Sequence, residues 1–205
     1  MSSLELAAAA LCDLGRLCYS RGWVFGTSGN FSAVLGREPL RLAITPSGAD
    51  KGALEAGEIL EVDGDGRLLS GAGRPSAETA IHLAIARAAG AGAVAHTHST
   101  WSTLLSDARA AEGGLAIQGY EMLKGLTGTL THAHREWIPI LENTQDWPSE
   151  APQVEERLRR DEKSHAFLIR SHGLYTWGKD VAEARRHVEI IEFLLEVVGR
   201  DEWLS

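Results

Sequence analysis

Residues 95–100, "AHTHST", close the apolar run "AGAVA" with two histidines one residue apart. In an extended chain alternate side chains share a face, so His96 and His98 project together and Thr97 turns the other way. Two imidazoles on one face suit a single divalent ion. The run itself reads as a short buried strand, Ala93 to His98, from which the fold is built outward in both directions.

Upstream, "RPSAET" sets Ser76 ahead of Ala77 and Glu78, and Ile81, Leu83, Ile85 and Ala86 follow with helical periodicity. Ser76 is therefore expected as the N-cap of that helix. Before it, "DGDG" between Ile59 to Val62 and Arg67 to Leu69 predicts a hairpin. Short strands are expected at Phe31 to Val34 and Leu40 to Ile44. They lie among the turns "GTSGN" and "TPSG". Leu4, Leu6, Leu11, Leu14, Leu17 and Cys18 predict one amphipathic helix that stops at Gly22.

Downstream, Thr100 to Asp107 reads as a short helix, Leu115 to Gln118 as a strand, and Glu121 to Gly125 as a single helical turn. Ile138 to Leu141 is strand-like and Val154 to Arg160 helical. "AFLIRSHGLYTW" reads as two strands joined at a glycine, and Val181 to Val198 as a long helix. Several connections are too short for parallel crossovers, which predicts an α/β fold with a mixed, largely antiparallel sheet covered by helices. With 44% apolar residues in a chain of 205, one domain over residues 1–205 is expected.

The formal charge of −8 argues against nucleic acid or an anionic membrane as a partner, because both need a concentrated basic face. The N-terminal segment is interrupted by Glu5, Asp13, Arg16 and Arg21 and has no basic leader, so it does not read as a signal peptide. No stretch reaches the roughly 20 apolar residues of a membrane span, and a soluble cytoplasmic protein is expected. Cys12 and Cys18 are separated by about 9 Å of helical rise. They are expected as unpaired core residues in a reducing compartment.

A catalytic zinc site takes three protein ligands and leaves one position open, so a third ligand must join His96 and His98. Candidates are His132 and His134 in "THAHRE", His165, His172 in "RSHGLY", and His187. His172 is favoured by its place after an apolar strand and before Gly173, which permits close packing. His187, beside Arg185 and Arg186, is expected on a solvated helix face. "THAHRE" offers a second pair with the same spacing, and spacing does not choose between the two.

The turns "GTSGN" and "TPSG", with Ser76, present amides and hydroxyls of the kind that bind phosphate without many cations. Two carboxylates draw attention as proton carriers. Glu78 opens a helix, where the macrodipole already favours it. Glu121, in "QGYEMLKG", is expected to be partly buried with a raised pKa, or else exposed and paired with Lys124 at i+3.

In this order, "GTSGN", "ITPSG", "PSAET", "HTHS" and "HGLYTWG" resemble the class II aldolase/adducin family over nearly the whole chain. The resemblance implies a three-layer α/β/α fold, one Zn²⁺ per subunit held by His96, His98 and His172, and a homotetramer with active sites near subunit interfaces. It also implies a substrate phosphate held by Ser28, Gly29, Asn30, Ser47, Gly48 and Ser76. Where the aldolases often carry two serines before the glutamate, this chain has Ser76 and Ala77. "QGYEMLKG", "THAHRE", "ENTQDWP" and "WGKDVAEARRHVE" resemble more narrowly the methionine-salvage dehydratases of that family, which act on a thio-sugar phosphate. Aldolases of the family imply Glu78 as the proton carrier, the dehydratases Glu121. The alternatives are an aldolase or 4-epimerase acting on another sugar phosphate, and an adducin-like interaction module without metal.

Overall fold

A computed structural model describes residues 2–160 and 164–204. Helix α1 (Ser3–Ser20) opens with a capping box, the Ser2 hydroxyl accepting from the Glu5 amide while the Glu5 carboxylate accepts from the Ser2 amide. After it come β1 (Asn30–Arg37), β2 (Leu40–Ile44), β3 (Leu60–Asp63) and β4 (Leu68–Ser70), then α2 (Thr79–Ala88) and β5 (Ala93–Thr97). The second half holds α3 (Thr100–Ala108), β6 (Gly114–Gln118), β7 (Arg135–Leu141), α4 (Trp147–Arg160), β8 (Ala166–Ile169), β9 (Gly173–Gly178) and α5 (Val181–Leu204). Among the described residues no helix is long and apolar enough to cross a membrane.

The strands form one sheet in the order β4-β3-β2-β1-β5-β9-β8-β7-β6. Among the described residues only β7 and β8 pair in parallel, with α4 as the crossover between them; the other pairs are antiparallel. The expected mixed, largely antiparallel sheet is what the chain adopts. Strand β5 is buried along its length because helices cover both faces, so its sequence runs apolar without alternation.

The pleat sorts its residues between the two layers. Ala95 packs with α1 and with Val188 of α5. Val94 instead meets Ile81 and Ile85 of α2 and Trp147 of α4. His96 therefore shares the side of α2 and α4, where its ring stacks on Tyr175 at a centroid distance of 4.0 Å. The neighbour Thr97 faces α5, where its hydroxyl meets Glu192.

Three local expectations differ from the fold. Ser76 is not an N-cap: α2 begins at Thr79, and the Ser76 hydroxyl accepts from the Glu78 amide within a turn. Helix α4 begins at Trp147 rather than near Val154, because Pro148 lies in its first turn, where a missing N–H costs nothing. Pro152 removes one helical hydrogen bond, offset by burial of Trp147, Val154 and Leu158 against α2. Finally, β5 ends at Thr97, so His98 stands just past the strand.

Gly173 sits where β9 starts beside Thr97. A Cβ there would collide with the Thr97 carbonyl oxygen and lie 3.2 Å from Cε1 of His96. Gly173→Ala is therefore expected to cost about 1–3 kcal/mol of unfolding free energy, measurable by urea denaturation.

Candidate metal centre and substrate cleft

Strand β5 carries His96 at its end, His98 follows one residue beyond, and His172 comes from the β8–β9 connection. Their Nε2 atoms converge: His98 to His96 at 2.7 Å and His172 to His98 at 3.1 Å. Tetrahedral zinc with bonds of 2.0–2.1 Å sets ligand nitrogens roughly 3.3 Å apart, so this grouping suits such an ion. Nδ1 of His96 lies 2.9 Å from the Leu174 carbonyl oxygen. That contact puts the ring hydrogen on Nδ1 and leaves the Nε2 lone pair facing the cluster. Burial, reinforced by the neighbouring imidazoles, pushes His96 well below its ordinary pKa and His98 down to about 4; burial lowers His172 too. Neutral imidazoles are the form that binds a metal.

Glu78 borders the triad, with Oε1 3.3 Å from Nε2 of His172 and Oε2 3.6 Å from Nε2 of His96. Asn30 Nδ2 donates to its Oε2 at 2.5 Å. Oδ1 of the Asn30 side chain is held by His82 Nε2, and Nδ1 of His82 lies 2.7 Å from the Ser32 hydroxyl. Burial takes His82 down to about 3, so it serves as a neutral hydrogen-bonding group. The Asn30 side chain thus aims Glu78 with one of its two amide N–H bonds. His82 was missed in the sequence, although its i+4 spacing from Glu78 was a usable signal.

Ser28, Gly29, Asn30, Ser47, Gly48 and Ser76 all line one cleft of about 1300 Å³ with Glu78, His98 and His172. Gly29 and Gly48 have φ of 69° and 76°. A Cβ at Gly29 would lie 2.7 Å from the His96 carbonyl oxygen, so the "GTSGN" turn packs directly on the ligand strand. From the other wall Trp147, Pro148, Ala151 and Pro152 of α4 present apolar surface. The Trp147 ring lies 6.3 Å from that of His172.

Glu121 is not in this cleft within its own chain. Its side chain is 72% exposed, bonded to Lys124 at 2.6 Å and 3.7 Å from Nδ1 of His132. Lys124 holds its carboxyl below the usual range, so the expected burial and raised pKa give way to the i+3 pair. It borders a separate apolar groove formed with Tyr120, Met122, Ile190 and Phe193.

The other histidines have separate partners. His134 and His165 flank the buried carboxylate of Glu136 at 2.8 and 3.1 Å. His187 is buried rather than solvated, because its face of α5 packs on β9: Nδ1 lies 2.6 Å from the Trp177 carbonyl oxygen and Nε2 meets Thr127. Among the described residues, His96, His98 and His172 are the one group of three metal-binding side chains brought together.

Residues 9–198 match the Class II Aldolase and Adducin N-terminal domain, and the chain belongs to that family. It is 46% identical to methylthioribulose-1-phosphate dehydratase of Sorangium cellulosum over 100% of this chain and 96% of the relative. With the Methylococcus capsulatus protein of the same name it shares 48% identity over 97% of this chain and 96% of that one. The crystal structure of L-fuculose-1-phosphate aldolase from Thermus thermophilus matches its fold with a TM-score of 0.75 at 24% identity, covering 96% of this chain and 95% of that one.

On the opposite face of β5, Glu192 is 2% exposed and accepts from the Thr97 hydroxyl at 2.5 Å, so it braces the residue between His96 and His98. Burial pushes its pKa from 4.5 up to about 7, against the lowering effect of the Ser99 and Thr97 hydroxyls. The folded chain therefore keeps a proton that the unfolded chain releases near its ordinary pKa. The stability this proton confers is full below that value and lost as pH rises through about 7. Glu192→Gln cannot ionise and is expected to remove a loss on the order of 3 kcal/mol. Urea denaturation of both forms at about pH 5 and about pH 8 reads it as a shallower pH dependence in the variant.

Proposed function

We propose that residues 1–205 act as one cytoplasmic domain, a methylthioribulose-1-phosphate dehydratase of methionine salvage. The hydro-lyase reaction removes water from 5-methylthioribulose 1-phosphate and gives 2,3-diketo-5-methylthiopentyl 1-phosphate. In this reading each subunit of a homotetramer holds one Zn²⁺ through His96, His98 and His172. The observation that carries the reading is one cleft combining three converging Nε2 atoms, a carboxylate, and amide- and hydroxyl-rich turns. Full-length identity of 46% and 48% to proteins of that name points the same way.

The substrate carries phosphate on C1, reacting groups at C2 to C4, and an apolar methylthio group on C5. The cleft offers a matching set: the Ser28–Asn30, Ser47–Gly48 and Ser76 turns for the phosphate, the triad for the reacting carbons, and Trp147 with its proline neighbours for the tail. Holding the phosphate remotely fixes the reacting carbons in place. Zinc at the triad would polarise the ketose oxygens and so acidify the adjoining C3–H bond. Glu121 then takes the C3 proton and delivers it to the C4 hydroxyl, which leaves as water, and the resulting enol tautomerises to the diketone. Since Glu121 lies outside the cleft of its own chain, we assign it to the cleft of a neighbouring subunit. The anionic Glu121 favoured by Lys124 is the form a base requires.

A second reading, an aldolase or 4-epimerase, draws on Glu78 beside the triad. The test is to incubate zinc-loaded protein with the thio-sugar phosphate, fuculose phosphate and ribulose phosphate and identify the products. The diketone from the thio-sugar alone supports the dehydratase; carbon–carbon cleavage of fuculose phosphate supports the second reading. Glu121→Gln is expected to keep its zinc and lose about 100-fold or more in kcat. Assemblies that mix Glu121→Gln with His96→Ala subunits should regain activity, whereas unchanged turnover in Glu121→Gln alone removes Glu121 from the role.

A further inference from the structure

Lys51 follows the "TPSGAD" turn and is 1% exposed, yet it lines the cleft beside Ser28, Ser47, Gly48 and Ser76. Its backbone is pinned against α1, where a Cβ at Gly15 would lie 2.6 Å from the Lys51 carbonyl oxygen. From that anchor Nζ donates to the Thr27 carbonyl at 3.0 Å and to the Ala49 carbonyl at 2.7 Å. One ammonium thus ties together the two turns on which the phosphate reading rests.

An ammonium has three N–H bonds, and these carbonyls take two of them. Both acceptors are neutral. Among the described residues no carboxylate lies within 4.0 Å of Nζ; Asp50 and Glu78 act on it only from farther away. A buried cation without an adjacent counter-ion is costly unless an anion completes its surroundings. Burial brings its pKa down to about 8, which still leaves the charged form dominant at neutral pH. Tying two carbonyls together needs only a neutral donor, so the charge itself calls for an anion in the cleft.

We propose that Lys51 supplies the cationic contact of the phosphate subsite, giving its third N–H to a phosphate oxygen while the other two hold the turns of Thr27 and Ala49 in register. The proposal rests on the sugar-phosphate reading above and adds a residue to it. It also explains how a chain with net charge −8 gathers a dianion: the required positive charge is internal and local.

The test compares Lys51→Met, which removes both charge and donors, with Lys51→Gln, which keeps an N–H donor and removes the charge. Both are made in the zinc-loaded protein. The probes are inorganic phosphate, followed by calorimetry and as a competitive inhibitor, and the thio-sugar phosphate, followed by KM and kcat. Both variants are expected to keep their zinc, weaken phosphate binding about ten-fold or more, as is usual for loss of a charged hydrogen bond, and lower kcat/KM for the thio-sugar phosphate in parallel. Unchanged phosphate affinity in both variants, or full recovery in Lys51→Gln alone, overturns the cationic role. Wild-type protein that binds neither inorganic phosphate nor the sugar phosphate would overturn the sugar-phosphate reading itself, a result distinguishable from failure of the variants.

Discussion

The pairing of β5 with β9 is the contact on which the rest of the site depends. His96 stands opposite Tyr175 and Thr97 opposite Leu174, so the ladder fixes the position of the triad's first imidazole. Gly173, without a side chain, lets the next strand begin directly beside the Thr97 carbonyl. The β8–β9 connection then delivers His172 within 3.1 Å of His98, although 74 residues separate them. Ladder hydrogen bonds and one missing Cβ thus achieve what chain proximity could not.

The two faces of that strand divide the work. Toward α2 and α4 burial holds the His96 imidazole neutral, with Asn30 aiming Glu78 and His82 and Ser32 aiming Asn30. Toward α5 the Thr97 hydroxyl is anchored on a buried carboxyl, which fixes the backbone between the ligands. A buried polar chain of this kind is favourable only while each member keeps its partner. That requirement couples the geometry of the histidine triad to the packing of three helices.

Much of the fold was legible because its signals are local. Apolar spacing reveals α1 and α5, Asp-Gly pairs reveal the β3–β4 hairpin, and the ordered motifs reveal the family. The misreadings share a tertiary cause. Helix α4 starts at Trp147, ahead of the expected Val154, because Trp147 is buried against α2. His187 looks solvated after Arg185 and Arg186 until its face of α5 meets β9. Glu121 looks buried among apolar neighbours, but those side chains line an open groove and leave the carboxylate in water. Lys51 and Glu192 carry no motif at all, since their roles exist only once distant turns, strands and helices meet.

The central claim is that these three imidazoles gather one divalent cation. Anomalous diffraction at the zinc edge, from crystals of zinc-loaded, catalytically active protein, tests it most directly. The account predicts one peak per subunit bonded to Nε2 of His96, His98 and His172 at roughly 2.0–2.1 Å. A peak at His132 and His134 instead, or full activity with no peak at the triad, would contradict it.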